Sequence, residues 1–147
     1  MEPTKICIQH RKKLNSNTKP IVVLMGRTGT GKTTLFNKIC GTNRTAEAGS
    51  SSVTRDLCLH DVNCGDNPFS VIDTPGNNSK QEAYKHAVLL RAALTVKKVN
   101  CVFMIMSFEN RFDLMVEYFL EQQELLYKYD HKIILMISHW DLSKNPE

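Results

Sequence analysis

No apolar stretch in this chain approaches the ~18 residues that a membrane-spanning helix requires, so no membrane segment is expected within it. The first twenty residues lack the apolar centre of a secretory signal. Cysteine is sparse and scattered: Cys7, Cys40, Cys58, Cys64 and Cys101 form no CxxC pair and have no histidine at metal-ligand spacing. That argues against zinc and against a disulfide framework, and for reduced thiols in a cytoplasmic protein. Internal repeats and low-complexity segments are missing as well. Charge of one sign is nearly balanced, with 19 basic and 15 acidic residues giving a formal net charge of +4. Part of that surplus lies in Lys5, Arg11, Lys12, Lys13 and Lys19. Such a run reads as a solvated tail, and no nucleic-acid partner is expected from it.

What remains is an ordinary globular composition, 41% apolar and 23% charged over 147 residues, which is room for one domain with a real core. Residues 1–19 are polar and aperiodic and are read as a flexible leader, with a single domain over residues 20–147. Ile21 to Met25 is a short, wholly apolar run ending in glycine, the pattern of a strand buried on both faces. A helix is predicted from about Lys32 to Cys40, stopped by Gly41. After a small, polar loop, residues 55–62 alternate as a half-exposed strand. Asn63 to Pro68 turns the chain, and Phe69 to Ile72 returns antiparallel to it. Residues 81–98 carry Ala83, Ala87, Leu90 and Leu94 at helical spacing, and residues 100–107 form another apolar strand. Residues 112–129 are helical again, with Leu114, Tyr118, Glu121 and Leu125 near one face, and residues 132–138 form the last strand. Strands alternating with helices predict a three-layer α/β/α fold whose sheet is mostly parallel with one antiparallel strand.

Gly26-Arg27-Thr28-Gly29-Thr30-Gly31-Lys32-Thr33 fits the phosphate-loop pattern G-x-x-x-x-G-K-S/T without a mismatch, between an apolar strand and a helix. Glycines let successive N–H groups turn inward around phosphate oxygens, and the helix N-terminus adds its positive end. In that pattern Lys32 reaches the β/γ-phosphates and the Thr33 hydroxyl binds Mg²⁺, with Thr34 placed to contact the α-phosphate. Forty residues on, Asp73-Thr74-Pro75-Gly76 closes an apolar strand. Ligands of parallel α/β sheets bind at the carboxyl ends of strands. Asp73 is therefore expected to hold Mg²⁺ through a water, and the Gly76 N–H to meet a γ-phosphate. Thr54 is the preferred hydroxyl to complete the metal shell, with Ser51 and Ser52 as alternatives, against a plain solvated loop.

These motifs in this order resemble the small GTPase-like superfamily of P-loop GTPases over about residues 20–142. Within it the Gly-Arg-Thr-Gly-Thr-Gly-Lys-Thr loop, Ser52-Val53-Thr54, Asp73-Thr74-Pro75-Gly76 and the strand leading into Asn110-Arg111-Phe112 look most like immunity-associated GTPases, septins and chloroplast import receptors. The resemblance implies binding of GTP and GDP with Mg²⁺. Where the superfamily has Asn-Lys-x-Asp, this chain has Ser138-His139-Trp140-Asp141. The resemblance implies that Asp141 accepts from guanine N1 and N2 and that His139 stacks on the base. Ras-like members place a glutamine after the Asp-x-x-Gly glycine to orient the attacking water, and here Asn77 stands there. Slow intrinsic hydrolysis is expected, raised by an effector or by homodimerisation. Relatives continue beyond the base-reading motif into a further strand and helix, so a fold lacking these last elements is expected. The rival readings are a P-loop ATPase and a non-hydrolysing, nucleotide-dependent interaction module.

Overall fold

Apolar runs too short for helices and ending in glycine or turn residues build the centre of the molecule. In the computed structural model residues 14–44, 57–76, 83–95, 99–108, 112–127 and 132–140 are described. Their elements run β1 (Ile21–Met25), α1 (Lys32–Cys40), β2 (Cys58–Val62), β3 (Phe69–Asp73), α2 (Ala83–Leu94), β4 (Val99–Ser107), α3 (Phe112–Leu126) and β5 (Ile133–Ser138). The five strands form one sheet in the order β2-β3-β1-β4-β5. All neighbours are parallel except β2 and β3, whose antiparallel register runs from Cys58 opposite Asp73 to Val62 opposite Phe69. The turn between those two closes through Asn67 N–H to the Cys64 carbonyl, 3.0 Å. The mostly parallel α/β architecture is the expected one.

The two faces of the sheet bury different helices, because side chains alternate along each strand. Ile21, Val23, Met25, Ile72, Val102, Met104 and Met106 pack with Leu90 and Ala93 of α2 and with Met115, Tyr118 and Leu126 of α3. Leu24, Val71 and Ile105 pack against Phe36 of α1 on the other side. Helices on both faces make the three layers.

Two periodicity readings are corrected. Among the described side chains of α3, Met115, Tyr118, Gln122 and Leu126 are buried, while Leu114 (41% exposed) and Glu121 face outward, and the Leu125 side chain lies outside the description. Leu114, Val116 and Leu120 spread apolar character around this helix, so sequence spacing alone does not single out the stripe that meets the sheet. Among the described side chains of α2, His86, Leu89, Leu90, Ala92, Ala93 and Leu94 are buried and Ala87 is exposed, while that of Ala83 lies outside the description. Of the residues read as leader, Leu14 is 2% exposed and belongs to the core under α2 and α3. Lys19 pairs with Asp61 on β2 at 2.6 Å. At the opposite edge of the sheet β5 leaves Ile134, Leu135 and Ile137 between 40% and 49% exposed.

Candidate functional site

The carboxyl ends of β1 and β3 lie side by side, since Leu24 pairs with Asp73. The loop leaving β1 is therefore placed against the segment leaving β3. Gly29 and Gly31 take φ values of 85° and 86°, the left-handed region that side chains avoid, and the second of these opens α1. The Leu35 N–H donates to the Gly31 carbonyl at 2.9 Å and begins the helical ladder. Thr30 is 4% exposed, and its hydroxyl donates to the Arg27 carbonyl at 2.9 Å.

Lys32 folds back over this loop. It is 6% exposed, and Nζ donates to the Arg27 carbonyl at 2.6 Å. Burial lowers its pKa from 10.5 to about 8, against an opposing pull from the Asp73 carboxylate. An ammonium has three donors, and the loop carbonyl takes one. Such a group, held in a partly desolvated pocket beside a helix N-terminus, is matched to phosphate oxygens.

Asp73 is wholly buried, and its Oδ2 accepts from the Thr33 hydroxyl at 3.0 Å. Arg44, just beyond α1, brings Nη1 to 3.4 Å from the same oxygen while its guanidinium lies 5.5 Å from the Phe36 ring centre. Its backbone is tied to α1 through Asn37, whose Oδ1 accepts from the Arg44 N–H at 3.0 Å and whose Nδ2 donates to the Arg44 carbonyl at 2.7 Å. A hydroxyl and a buried carboxylate at this spacing are hard oxygen donors of the kind Mg²⁺ takes. The residues present thus fit a Mg²⁺–nucleotide.

Thr74 fixes the segment after β3 by donating from Oγ1 to the Leu24 carbonyl at 2.7 Å. Gly76 then meets the phosphate loop so closely that a Cβ placed on it would stand 2.6 Å from the Thr28 nitrogen and 2.7 Å from the Thr28 Cα. Only glycine fits there. The Gly76 carbonyl lies 3.0 Å from Nδ1 of His86, which is 1% exposed on α2.

The structure therefore brings Gly26, Thr28, Gly29, Thr30, Gly31, Lys32, Thr33, Asp73 and Gly76 into one locality. Arg27 contributes its main chain, since its guanidinium lies 4.3 Å above the Tyr118 ring and 3.2 Å from Glu121 on α3. Thr34 is exposed on the first turn of α1. The β5 end also reaches the loop: a Cβ on Gly31 would be 3.9 Å from Ser138 Cβ. His139, at φ 55°, sets Nδ1 3.1 Å from both Ser107 Oγ and Ser138 Oγ, and Trp140 packs edge-on to Phe108. Thr54, Asn77, Asp141, Asn110 and Arg111 lie outside the described residues, as do Ser51 and Ser52. Sequence reasoning missed Arg44 and His86. Nothing in a polar loop marks Arg44, and a histidine on a helical apolar face looks like any core residue.

Comparison with known proteins adds a family. The model described as "50S ribosome-binding GTPase" matches residues 21–139. The GTPase Der of Halothermothrix orenii is 31% identical over 130 residues, 88% of this chain and 29% of Der. That of Limosilactobacillus fermentum is 30% identical over 129 residues, 87% of this chain and 28% of Der. The chain thus spans under a third of these relatives' length. Among solved structures, the G domain of the T. maritima FeoB iron transporter superposes with a TM-score of 0.59 at 22% identity, covering 88% of this chain and 77% of that domain. Era in complex with MgGDPNP and nucleotides 1506–1542 of 16S ribosomal RNA gives a TM-score of 0.62 at 19% identity, covering 83% of this chain and 41% of Era. The placement beside immunity-associated GTPases, septins and chloroplast import receptors has no support among these relatives, which are Der-type bacterial GTPases. Nor does the expectation that no nucleic acid is a partner find support there. Among the described residues no helix is long and apolar enough to cross a membrane.

Proposed function

We propose that this chain, which belongs to the 50S ribosome-binding GTPase family, acts as a GTP-dependent switch that hydrolyses GTP slowly to GDP. As a G domain of that family it binds guanine nucleotide. One observation carries the site assignment: the Thr33 hydroxyl and the buried Asp73 carboxylate meet at 3.0 Å directly beside the buried Lys32. The phosphate loop, the metal-side carboxylate and the cation that shares phosphate charge thereby converge on one point.

In this reading the main-chain N–H groups of residues 26–33 cradle the α- and β-phosphates, and Lys32 shares the β/γ charge. Thr33 and Asp73 would hold Mg²⁺, which would supply neutralisation of phosphate charge. The Gly76 N–H takes the γ-phosphate, with Thr54 completing the metal shell in the GTP state. Asn77 orients the attacking water. Asp141 and His139 select guanine, and the approach of Ser138 to Gly31 supports this by ending β5 beside the phosphate loop. Loops that order around a γ-phosphate and relax after its loss would make the domain a switch for an effector or a second copy of the chain.

Fluorescent GTP, GDP and ATP titrations with Mg²⁺, on the unsubstituted chain and on Lys32→Ala, test this. The expected result is guanine-selective binding that Lys32→Ala abolishes. Equal affinity for ATP and GTP would remove the guanine assignment. A single-turnover assay on Asn77→Ala then separates a hydrolysing switch, whose rate falls, from a passive binder with no rate to lose.

A further inference from the structure

We propose that His86 is a positioning residue for the γ-phosphate contact, holding the Gly76 carbonyl from α2 and so fixing the orientation in which Gly76 faces the phosphate loop. The inference rests on the reading of this site as a GTP site in which the Gly76 N–H meets the γ-phosphate. His86 stands ten residues beyond Gly76 and is 1% exposed, with Nδ1 3.0 Å from the Gly76 oxygen. A carbonyl only accepts, so Nδ1 carries the proton and donates. That proton assignment follows from the partner.

The need for an outside restraint comes from the residue itself. A glycine has no Cβ and populates a wide range of φ and ψ, yet the γ-phosphate contact requires its N–H in one direction. Three features remove that freedom. Pro75 fixes its own φ on the N-terminal side. Close packing on the Thr28 backbone fixes the position of the Gly76 Cα. The imidazole holds the carbonyl on the C-terminal side, which sets ψ. Of these, only the histidine comes from another secondary-structure element. Leu89 and Leu90, on the same helix, are fully or nearly fully buried and anchor it in the core. The Gly76 peptide is thereby referenced to α2.

Calorimetric titration of the full chain with GDP and with a non-hydrolysable GTP analogue, both with Mg²⁺, tests this on His86→Leu, His86→Gln and His86→Asn. Leucine fills the space without a donor. The Gln amide falls near the Nε2 position and the Asn amide near Nδ1. Loss of one hydrogen bond to a buried carbonyl is expected to weaken the analogue roughly five- to tenfold in the Leu and Gln variants. GDP affinity should stay within about twofold, and Asn should recover the analogue affinity. Thermal denaturation with saturating GDP reports whether each variant is folded, and the Gln–Asn pair carries the test if the leucine variant is not. Equal loss for both nucleotides, no loss for either, or an Asn variant no better than Gln would overturn the positioning role and leave His86 a core residue. Failure of the unsubstituted chain to bind GDP would instead overturn the GTP-site reading, and this inference with it.

Discussion

Nucleotide binding should draw a proton onto Lys32, and the amount can be worked out. In the free protein burial holds the ammonium's pKa at about 8, below its ordinary 10.5. A lysine with a depressed folded pKa penalises stability wherever it is charged. The penalty, about 3 kcal/mol, is fully present below pH 8 and is relieved as pH rises from about 8 to 10.5. In the proposed site, phosphate oxygens beside Nζ would replace with counter-charge the hydration that burial removed, so binding should raise the pKa back toward its ordinary range. At pH 8 about half of the free chains carry a neutral Lys32 and would each take up a proton on binding GDP, whereas at pH 7 about a tenth would. Terminal phosphates, with a second pKa near ~6, are already ionised at pH 8 and do not obscure this uptake. Calorimetry of GDP binding with Mg²⁺ in two buffers of different ionisation enthalpy reads the uptake directly. The same coupling makes GDP affinity about tenfold weaker at pH 9 than at pH 7. Lys32→Arg cannot lose its charge and should show no uptake if it binds at all. No uptake at pH 8 together with a flat affinity from pH 7 to 9 would refute the placement of a desolvated Lys32 at the phosphates.

Gly76→Ala should push its Cβ into the Thr28 backbone, 2.6 Å away, which no rotamer change can relieve. Overpacking of this kind costs about 1–3 kcal/mol in urea denaturation, and an unchanged midpoint would show that the two segments are not in contact. Asp73→Asn removes the buried carboxylate that faces Thr33 and Arg44. We expect the gain in nucleotide affinity on adding Mg²⁺ to fall on the order of tenfold or more, read by titrations with and without the metal. Lys19→Ala breaks the pair with Asp61, whose pKa the Lys19 hydrogen bond, aided by Ser70, holds below its ordinary 3.8. Both partners are partly exposed, so the cost is under about 1 kcal/mol at pH 7. A depressed carboxylate pKa stabilises above the unfolded value and loses that contribution as pH falls below it. The difference between Lys19→Ala and the parent should therefore vanish in acid denaturation.

Much of the sheet was legible because its strands are short apolar runs with unambiguous ends. β1 stops at glycine, and the Asn63–Pro68 turn forces β2 and β3 antiparallel. The phosphate loop was legible for another reason: glycine, lysine and threonine at fixed spacing are a chemical requirement, independent of packing. Burial on α2 and α3 was less so. Apolar side chains surround α3, and which of Leu114 or Met115 faces β4 depends on where the helix axis lies over the sheet. His86 and Arg44 were hidden because their roles exist only through space. One reaches a carbonyl ten residues back, and the other a carboxylate 29 residues ahead. No periodicity encodes either meeting.

The reversed pairing of β2 has a consequence for where the preceding connection begins and ends. Because Cys58 lies opposite Asp73, the start of β2 is at the phosphate end of the sheet. Arg44, with its guanidinium on Asp73, is at that end too. Both ends of the connection between residues 44 and 57 therefore stand at the Asp73 end of the sheet, whatever its length or composition. Doubling such a connection adds only about 0.6 kcal/mol of closure entropy. The strand reversal thus fixes where the two ends of that connection stand, independently of what lies between them.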